Sequence, residues 1–297
     1  MRVFVTGATG WVGSAVVGDL IAAGHSVLGL ARSDAGAATL AATGAEVLRG
    51  TIEELDTLRR GAEGADGVIH TAFNHDWSRF AASCEEDRRA IEALGEVLVG
   101  SERPLLVTSG LMLLTSGRTA TEADATAPVS PAYPRASEQT AIAMTERGVR
   151  AATVRLPPSV HGTGDHGFVP ILIGIAREKG VSAYVGDGRN RWPAVHRFDA
   201  ARLYRLALEH GAKDGPYHAV AEEGVAFKAL AEAIAHGLDV PAVSLDAEAA
   251  AAHFGWFAMF AGADVPASSA RTREMLGWVP ERAGLLEDVA GAGYFGG

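Results

Sequence analysis

Gly7, Gly10 and Gly13 are spaced three apart and follow directly on the apolar run Val3-Phe4-Val5. Each position asks for a missing side chain for its own reason. Gly7 permits a tight turn off a strand, Gly10 lets backbone approach a pyrophosphate, and Gly13 lets the following helix pack on the sheet. A helix beginning there offers unpaired amides and the positive end of its dipole to phosphates. In a chain with 36 glycines the triplet means little alone. Its setting gives it weight, because a second strand, Ser26 to Ala31, follows after a helix-length segment ending at Gly24. The pattern predicts a dinucleotide site.

The second strand ends Leu30-Ala31-Arg32-Ser33-Asp34. An NAD(H) site usually places an acid here on the ribose hydroxyls. Arg32 can instead pair with a 2′-phosphate and Ser33 can hydrogen-bond it, so NADP(H) is the expected cofactor, with NAD(H) left as the alternative by Asp34. His75, in Phe73-Asn74-His75-Asp76-Trp77, lies just beyond an expected fourth strand, where it could donate a proton or simply cap the next helix. His161, Asp165 and His166 share a glycine-rich segment, but three ligands on a flexible loop with no cysteine partner make a poor metal site, and none is expected. His166 is expected to face substrate or solvent.

Composition narrows the class. A net charge of −10 and a pI near 5.5 argue against a nucleic-acid partner, which needs clustered Lys and Arg. The single cysteine, Cys84, excludes an internal disulfide and suits a reducing compartment. No apolar stretch reaches the length of a membrane span, and Gly7, Gly10, Gly13 and Asp19 interrupt the N-terminal apolar run, so a cytoplasmic protein acting on a small molecule is expected.

Strands are expected at Arg2–Thr6, Ser26–Ala31, Glu46–Leu48, Gly67–Thr71, Leu105–Ser109, Ala151–Leu156 and Tyr217–Ala221. Helical spacing covers Ser14–Ala23, Ile52–Gly61, Ser78–Val99, Arg135–Arg147, Ala200–Glu209, Phe227–His236, Ala247–Phe260 and Ala270–Leu276. The alternation implies an α/β fold, a doubly wound parallel sheet of the Rossmann type, with a smaller C-terminal substrate-binding α/β region. The expected division is a dinucleotide-binding domain over 1–157 and a substrate region over 158–297, with a stretch near 192–222 returning to the first. The aromatic run Phe254, Trp256, Phe257, Met259 and Phe260 is read chiefly as core.

These segments resemble the extended short-chain dehydrogenase/reductases, the NAD-dependent epimerase/dehydratase family. The resemblance lies in Thr6-Gly7-Ala8-Thr9-Gly10-Trp11-Val12-Gly13, Asp66-Gly67-Val68-Ile69-His70-Thr71-Ala72, Leu106-Val107-Thr108-Ser109, Arg155-Leu156-Pro157-Pro158-Ser159-Val160-His161-Gly162 and Arg273-Glu274-Met275-Leu276-Gly277-Trp278-Val279-Pro280. It implies cofactor contacts from Thr9, Trp11, Val12, Thr71, Ala72, Phe73, Thr108, Tyr133, Leu156, Pro157, Ser159 and Val160. It also implies substrate contacts near His161, which stands where the family often has an aromatic, and at Arg191 and Trp192. Family catalysis rests on a Ser or Thr after the fifth strand and a Tyr-x-x-x-Lys. Ser109 matches the first and Tyr133 the second, but Ser137 stands at the lysine position, as in divergent, atypical members.

That lysine binds the nicotinamide ribose and lowers the tyrosine pKa by its charge; without it a phenol stays near about 10. Such a phenol can still donate a proton to a carbonyl, but it is a poor base for alcohol oxidation near pH 7. Ser137, four residues on, is expected to share a helix face with Tyr133 and could hold the ribose hydroxyl instead, while Arg135, two residues on, points elsewhere. The expected activity is NADP(H)-dependent reduction of a carbonyl or similar polarised double bond, with Ser109 polarising the acceptor and Tyr133 or His75 giving the proton. A nucleotide-sugar epimerase or dehydratase and a non-catalytic NADP(H) sensor or scaffold are the alternatives, and the protein is expected as a monomer or homodimer.

Overall fold

A computed structural model describes every residue except those at positions 115, 116, 132, 292 and 297, and the side chains of all the others except Trp77 and Leu113. The central sheet is built from β1 (Arg2–Thr6), β2 (Ser26–Ala31), β3 (Glu46–Arg49), β4 (Gly67–His70), β5 (Pro104–Gly110), β6 (Arg150–Leu156) and β10 (Tyr217–His218). Its order is β10-β6-β5-β4-β1-β2-β3, parallel throughout. Strand order reverses between β1 and β4, so the loops leaving their C-terminal ends border the crevice in which ligands of open α/β sheets bind.

Side chains alternate across each strand, and both faces are buried. Val3, Val5, Ile69 and Leu106 pack with α1 (Trp11–Ala22) and α7 (Arg197–Glu209). Phe4, Val68, Leu105 and Val107 pack on the other face with α3 (Leu55–Glu63), α4 (Phe80–Glu96) and α5 (Ser137–Glu146). The sequence signal missed α2 (Asp34–Ala42) because its composition is nearly all Ala, Gly and Thr and only Leu40 is buried. It begins where Ser33 caps it, its Oγ accepting from Gly36 N at 3.1 Å.

The second half is more regular than its Gly- and Pro-rich sequence suggests. β7 (Ser159–His161), β9 (Arg191–His196) and β11 (Glu222–Ala226) form a three-stranded sheet, and β8 (Ser182–Val185) pairs with β12 (Ala242–Leu245). α6 (Phe168–Lys179), α8 (Phe227–Leu238), α9 (Ala247–Phe254), α10 (Ala258–Ala261) and α12 (Leu285–Ala290) enclose a core rich in aromatics. The expected helix over 247–260 breaks at Gly255, whose φ of +56 lies in the left-handed region. α11 (Ala270–Leu276) packs beside α7 and β10. Among the described residues no helix is long and apolar enough to cross a membrane.

Candidate active site

The loops after β1 and β4 touch. Gly7 has φ +67, and a Cβ there would lie 2.7 Å from both Ala72 N and Thr71 Oγ1. A Cβ on Gly13 would lie 2.1 Å from the Gly7 carbonyl oxygen, so helix and turn meet with no room for a side chain. A Cβ on Gly10 would meet only that same oxygen, at 3.2 Å, and α1 starts without a side-chain cap. The amide end of α1 is thus open above Gly10, as a phosphate cradle requires.

Trp11, the first residue of α1, ties this loop to the second half of the chain. Its Nε1 donates to the Val160 carbonyl at 2.7 Å, Arg197 stacks 3.9 Å from its ring, and His166 meets it edge-on at 5.5 Å. At the far end of the crevice Arg32 and Ser33 are exposed beyond β2. Arg49, at the end of β3, joins them: it donates to the Ser33 and Arg32 carbonyls and pairs with Asp34 at 2.9 Å. Arg49 was absent from the sequence expectation because the β2–β3 pairing that brings it there is a tertiary fact.

A buried polar chain runs beneath the ends of β1, β4 and β5. Ala72 N donates to Thr6 Oγ1 at 3.4 Å, and Thr6 Oγ1 meets His70 Nδ1 at 2.7 Å. His70 Nε2 reaches Asp87 Oδ1 at 3.1 Å, Ser137 Oγ donates to Asp87 Oδ2 at 2.6 Å, and Arg135 Nε donates to Ser137 Oγ at 3.0 Å. With Nε2 donating to the carboxylate, His70 Nδ1 accepts from the Thr6 hydroxyl and every member is satisfied. Thr6, His70, Asp87 and Ser137 are all at most 2% exposed. Burial works to raise the Asp87 pKa, but the hydrogen bond from His70, the Arg135 charge and the hydrogen bond from Ser137 outweigh it and hold the carboxyl below its usual range.

This chain corrects two expectations. Helix α5 begins at Ser137, after non-helical Pro134, Arg135 and Ala136, so the four-residue spacing from Tyr133 carries no shared face. Ser137 is turned inward to Asp87 and cannot hold a ribose hydroxyl. Arg135 does not point elsewhere: it reaches Thr108 O at 3.3 Å and lies 4.4 Å from the Phe73 ring. Thr108 Oγ1 donates to the His70 carbonyl at 2.8 Å and meets Tyr204 OH at 2.7 Å, so its side chain serves the interior.

Tyr133 is half-buried, its backbone paired with Ser130, its ring 5.9 Å from Phe80. Burial raises its pKa, and the Arg135 guanidinium beside it pulls the other way by charge and hydrogen bonding. His75 stands edge-on to Phe73 at 5.2 Å; loss of water, then Arg135, then His166 lower its pKa. Phe73, His75, Phe80, Tyr133 and Arg135 therefore form one cluster, and His166 links it to Trp11. Ser109, next to last in β5, lies on the face of α4 and α5 with 3% exposure; Leu156 ends the neighbouring β6, and Pro157 and Val160 follow it. The Ser159 hydroxyl is enclosed, leaving its backbone for any ligand contact.

Two expected substrate contacts, Trp192 and His161, are corrected by burial. Trp192 is 1% exposed, donates to the Phe260 carbonyl and packs against Phe168, Phe227 and Phe257, because β9 runs through the second core. Arg191 is held by Asp264 in a two-pronged pair at 3.0 Å. His161 is fully buried with Nδ1 on Asp288 at 2.6 Å.

Behind β6 a second buried cluster pins the other side of the α5 start. Arg155, 2% exposed, donates through Nε to Glu138 Oε2 at 2.9 Å and lies 3.0 Å from His218 Nε2. His218 Nδ1 meets the Ser268 carbonyl at 2.7 Å, and burial pushes its pKa down to about 4. Asp87 had a sequence signal that went unread: it falls on the face of α4 that also buries Cys84, Ile91 and Leu94. A charge on an apolar face must have buried partners.

Residues 3–221 match the model of the NAD dependent epimerase/dehydratase family. An uncharacterized protein of Schizosaccharomyces pombe is 50% identical over 99% of this chain and 100% of its own length. A 4-hydroxy-2-methyl-3-oxo-4-farnesyl-3,4-dihydroquinoline-1-oxide ketoreductase of Stigmatella aurantiaca is 29% identical over 90% of this chain and 84% of its own. Among solved structures, DesIV, a dTDP-glucose 4,6-dehydratase of Streptomyces venezuelae with NAD and TYD bound, superposes with a TM-score of 0.76 at 21% identity, covering 98% and 95% of the two chains. By fold, by its glycine loop and by sequence, the chain belongs to the NAD dependent epimerase/dehydratase family.

Proposed function

We propose that the protein is an NADP(H)-dependent reductase of a carbonyl, or a similar polarised double bond, on a small molecule. The observation that carries this reading is a half-buried phenol, Tyr133, beside a guanidinium at the sheet edge reached from the glycine loop. The cradle above Gly10 fits a pyrophosphate, and the adenine-side residues Arg32 and Ser33, with Arg49, fit a 2′-phosphate. Gly7, Gly10, Trp11, Val12 and Gly13 would hold the phosphates, and Thr71, Ala72, Phe73, Leu156, Pro157 and Val160 would flank the nicotinamide. The similarity to a ketoreductase supports reduction.

A bound nicotinamide supplies the hydride that reduces the carbonyl carbon, and is itself oxidised. The protein supplies the rest. The Tyr133 O–H bond breaks and its proton passes to the carbonyl oxygen, giving an alcohol and a phenolate that recovers a proton from water. Ser109 is the hydroxyl assigned to orient that oxygen. His75, with its pKa lowered by its surroundings, is mostly uncharged at pH 7 and is the weaker proton source.

Fluorescence titration with NADPH and NADH, followed by 340 nm absorbance with aldehydes, ketones, imines and UDP- or dTDP-sugars, tests both halves. Arg32→Ala removes one charge-assisted contact, about 1.5–3 kcal/mol, so NADPH should bind roughly 10- to 150-fold more weakly while NADH binding is unchanged. A wild-type preference for NADH refutes the Arg32 assignment. Tight NADPH binding without turnover of any class refutes the reductase, and turnover of a sugar nucleotide without net cofactor oxidation makes the protein an epimerase or dehydratase instead.

A further inference from the structure

We propose that Arg135 is the fixed cation of this site, braced from the interior by the Ser137–Asp87–His70 chain, and that it stabilises the phenolate Tyr133 leaves on giving up its proton. The second half of this statement rests on the reductase reading above; the first does not.

Three independent contacts set the guanidinium. Nε donates to Ser137 Oγ at 3.0 Å, one terminal nitrogen donates to the Thr108 carbonyl at 3.3 Å, and the group stacks 4.4 Å from Phe73. Its anchor is rigid, since Ser137 and Asp87 are 2% and 1% exposed and Asp87 is also held by His70. Among the described residues Arg135 forms no direct ion pair with a carboxylate; Asp87 is reached only through the Ser137 hydroxyl. The positive charge is therefore not cancelled at contact distance and acts on the groups around it. Those groups are Tyr133 from the segment before α5, His75 from the loop after β4, Cys84 and Asp87 from α4, and Tyr204 from α7, all of which respond to its charge. The sign is the same for each: anions are favoured and an imidazolium is disfavoured. An arginine stays charged at every working pH, so it serves as a constant field and not as a proton carrier. In the proton step the Tyr133 O–H bond breaks, the new O–H bond forms on the substrate, and the negative charge left on the phenol oxygen faces the guanidinium.

The test uses the full chain as wild type, Arg135→Gln and Arg135→Lys, with two readouts. The first needs no cofactor: the histidine Cε1 NMR signal of His75, assigned through His75→Asn, is titrated between pH 5 and 8. The midpoint should rise by at least about half a unit in Arg135→Gln and stay near wild type in Arg135→Lys. The second is the pH profile of carbonyl reduction. A unit charge about 4–6 Å away at an effective dielectric of about 20 predicts a roughly 100- to 1,000-fold lower kcat for Arg135→Gln, an alkaline limb displaced upward, little change in KM, and substantial rescue by lysine. Should Arg135→Gln fail to fold, Ser137→Ala, which frees the guanidinium but keeps its charge, is expected to shift the same profile more weakly. An unmoved His75 midpoint overturns the fixed-cation assignment. An unmoved kcat and alkaline limb, with the His75 midpoint displaced, overturns the phenolate role alone. No carbonyl turnover by the wild type overturns the reductase reading and the phenolate role together, and the His75 titration still decides the first half.

Discussion

Asp87→Asn probes the buried chain directly. The carboxylate, 1% exposed, accepts from His70 Nε2 at 3.1 Å and from Ser137 Oγ at 2.6 Å. An amide of the same shape keeps one acceptor oxygen and presents an NH2 group to the second donor. Bonds to a charged acceptor are worth about 1.5–3 kcal/mol against about 0.5–1.5 for neutral ones, and a stranded buried donor costs about 1–3 more. The expected loss at pH 7 is about 2–4 kcal/mol. At about 2.1 cal/mol/K of unfolding entropy per residue, a chain of 297 residues should lose roughly 3–6 °C in Tm. The pH dependence has a fixed sign, because the folded pKa of Asp87 lies below its unfolded value of about 3.9. Its contribution is complete above that value and is lost as pH falls through the folded pKa. The gap between wild type and variant should therefore be level from pH 7 to about 5 and narrow below about 4. Thermal melts followed by circular dichroism across this range measure it. A loss under about 1 °C at pH 7, or a gap that widens on acidification, would refute the account of the chain as a satisfied, ionised network.

Gly13→Ala forces a methyl to within 2.1 Å of the Gly7 carbonyl, so α1 must shift off its turn. Overpacking of about 1–3 kcal/mol should weaken dinucleotide binding by roughly 5- to 150-fold, read by fluorescence titration, and unchanged binding would show that the turn does not carry the cofactor. Glu138→Ala leaves the Arg155 guanidinium, 2% exposed, without its carboxylate and should cost about 3–5 kcal/mol in urea unfolding at pH 7. Replacing both partners by Glu138→Leu with Arg155→Met should recover most of that loss; a double variant as unstable as the single one would mean the pair is not what holds α5 to β6.

Local patterns were legible where one residue type does one job. The strand into Gly7, the order of the first six strands and the position of Ser109 follow from apolar runs and turn residues, and the structure places them within a residue or two. The reading failed where a local rule was extended across a break. Treating Tyr133 to Ser137 as one helix put Ser137 at the site and turned Arg135 away, whereas the helix starts at Ser137 and the three residues before it are free to swing the guanidinium inward. Trp192 stands among the expected substrate contacts only through the family resemblance; β9 crosses the second core, and alternation sends its side chain into that core.

The sequence by itself determined the dinucleotide loop, the parallel sheet and the family, because glycine spacing, alternating strands and helices, and turn chemistry act over a few residues and leave a periodic trace. Only the tertiary structure decided which polar groups make up the site. His70, Asp87 and the Arg135–Ser137 stretch come from three separate segments with no common period, and they form a unit because burial leaves His70, Asp87 and Ser137 no solvent to satisfy them and only one another and Arg135 within reach.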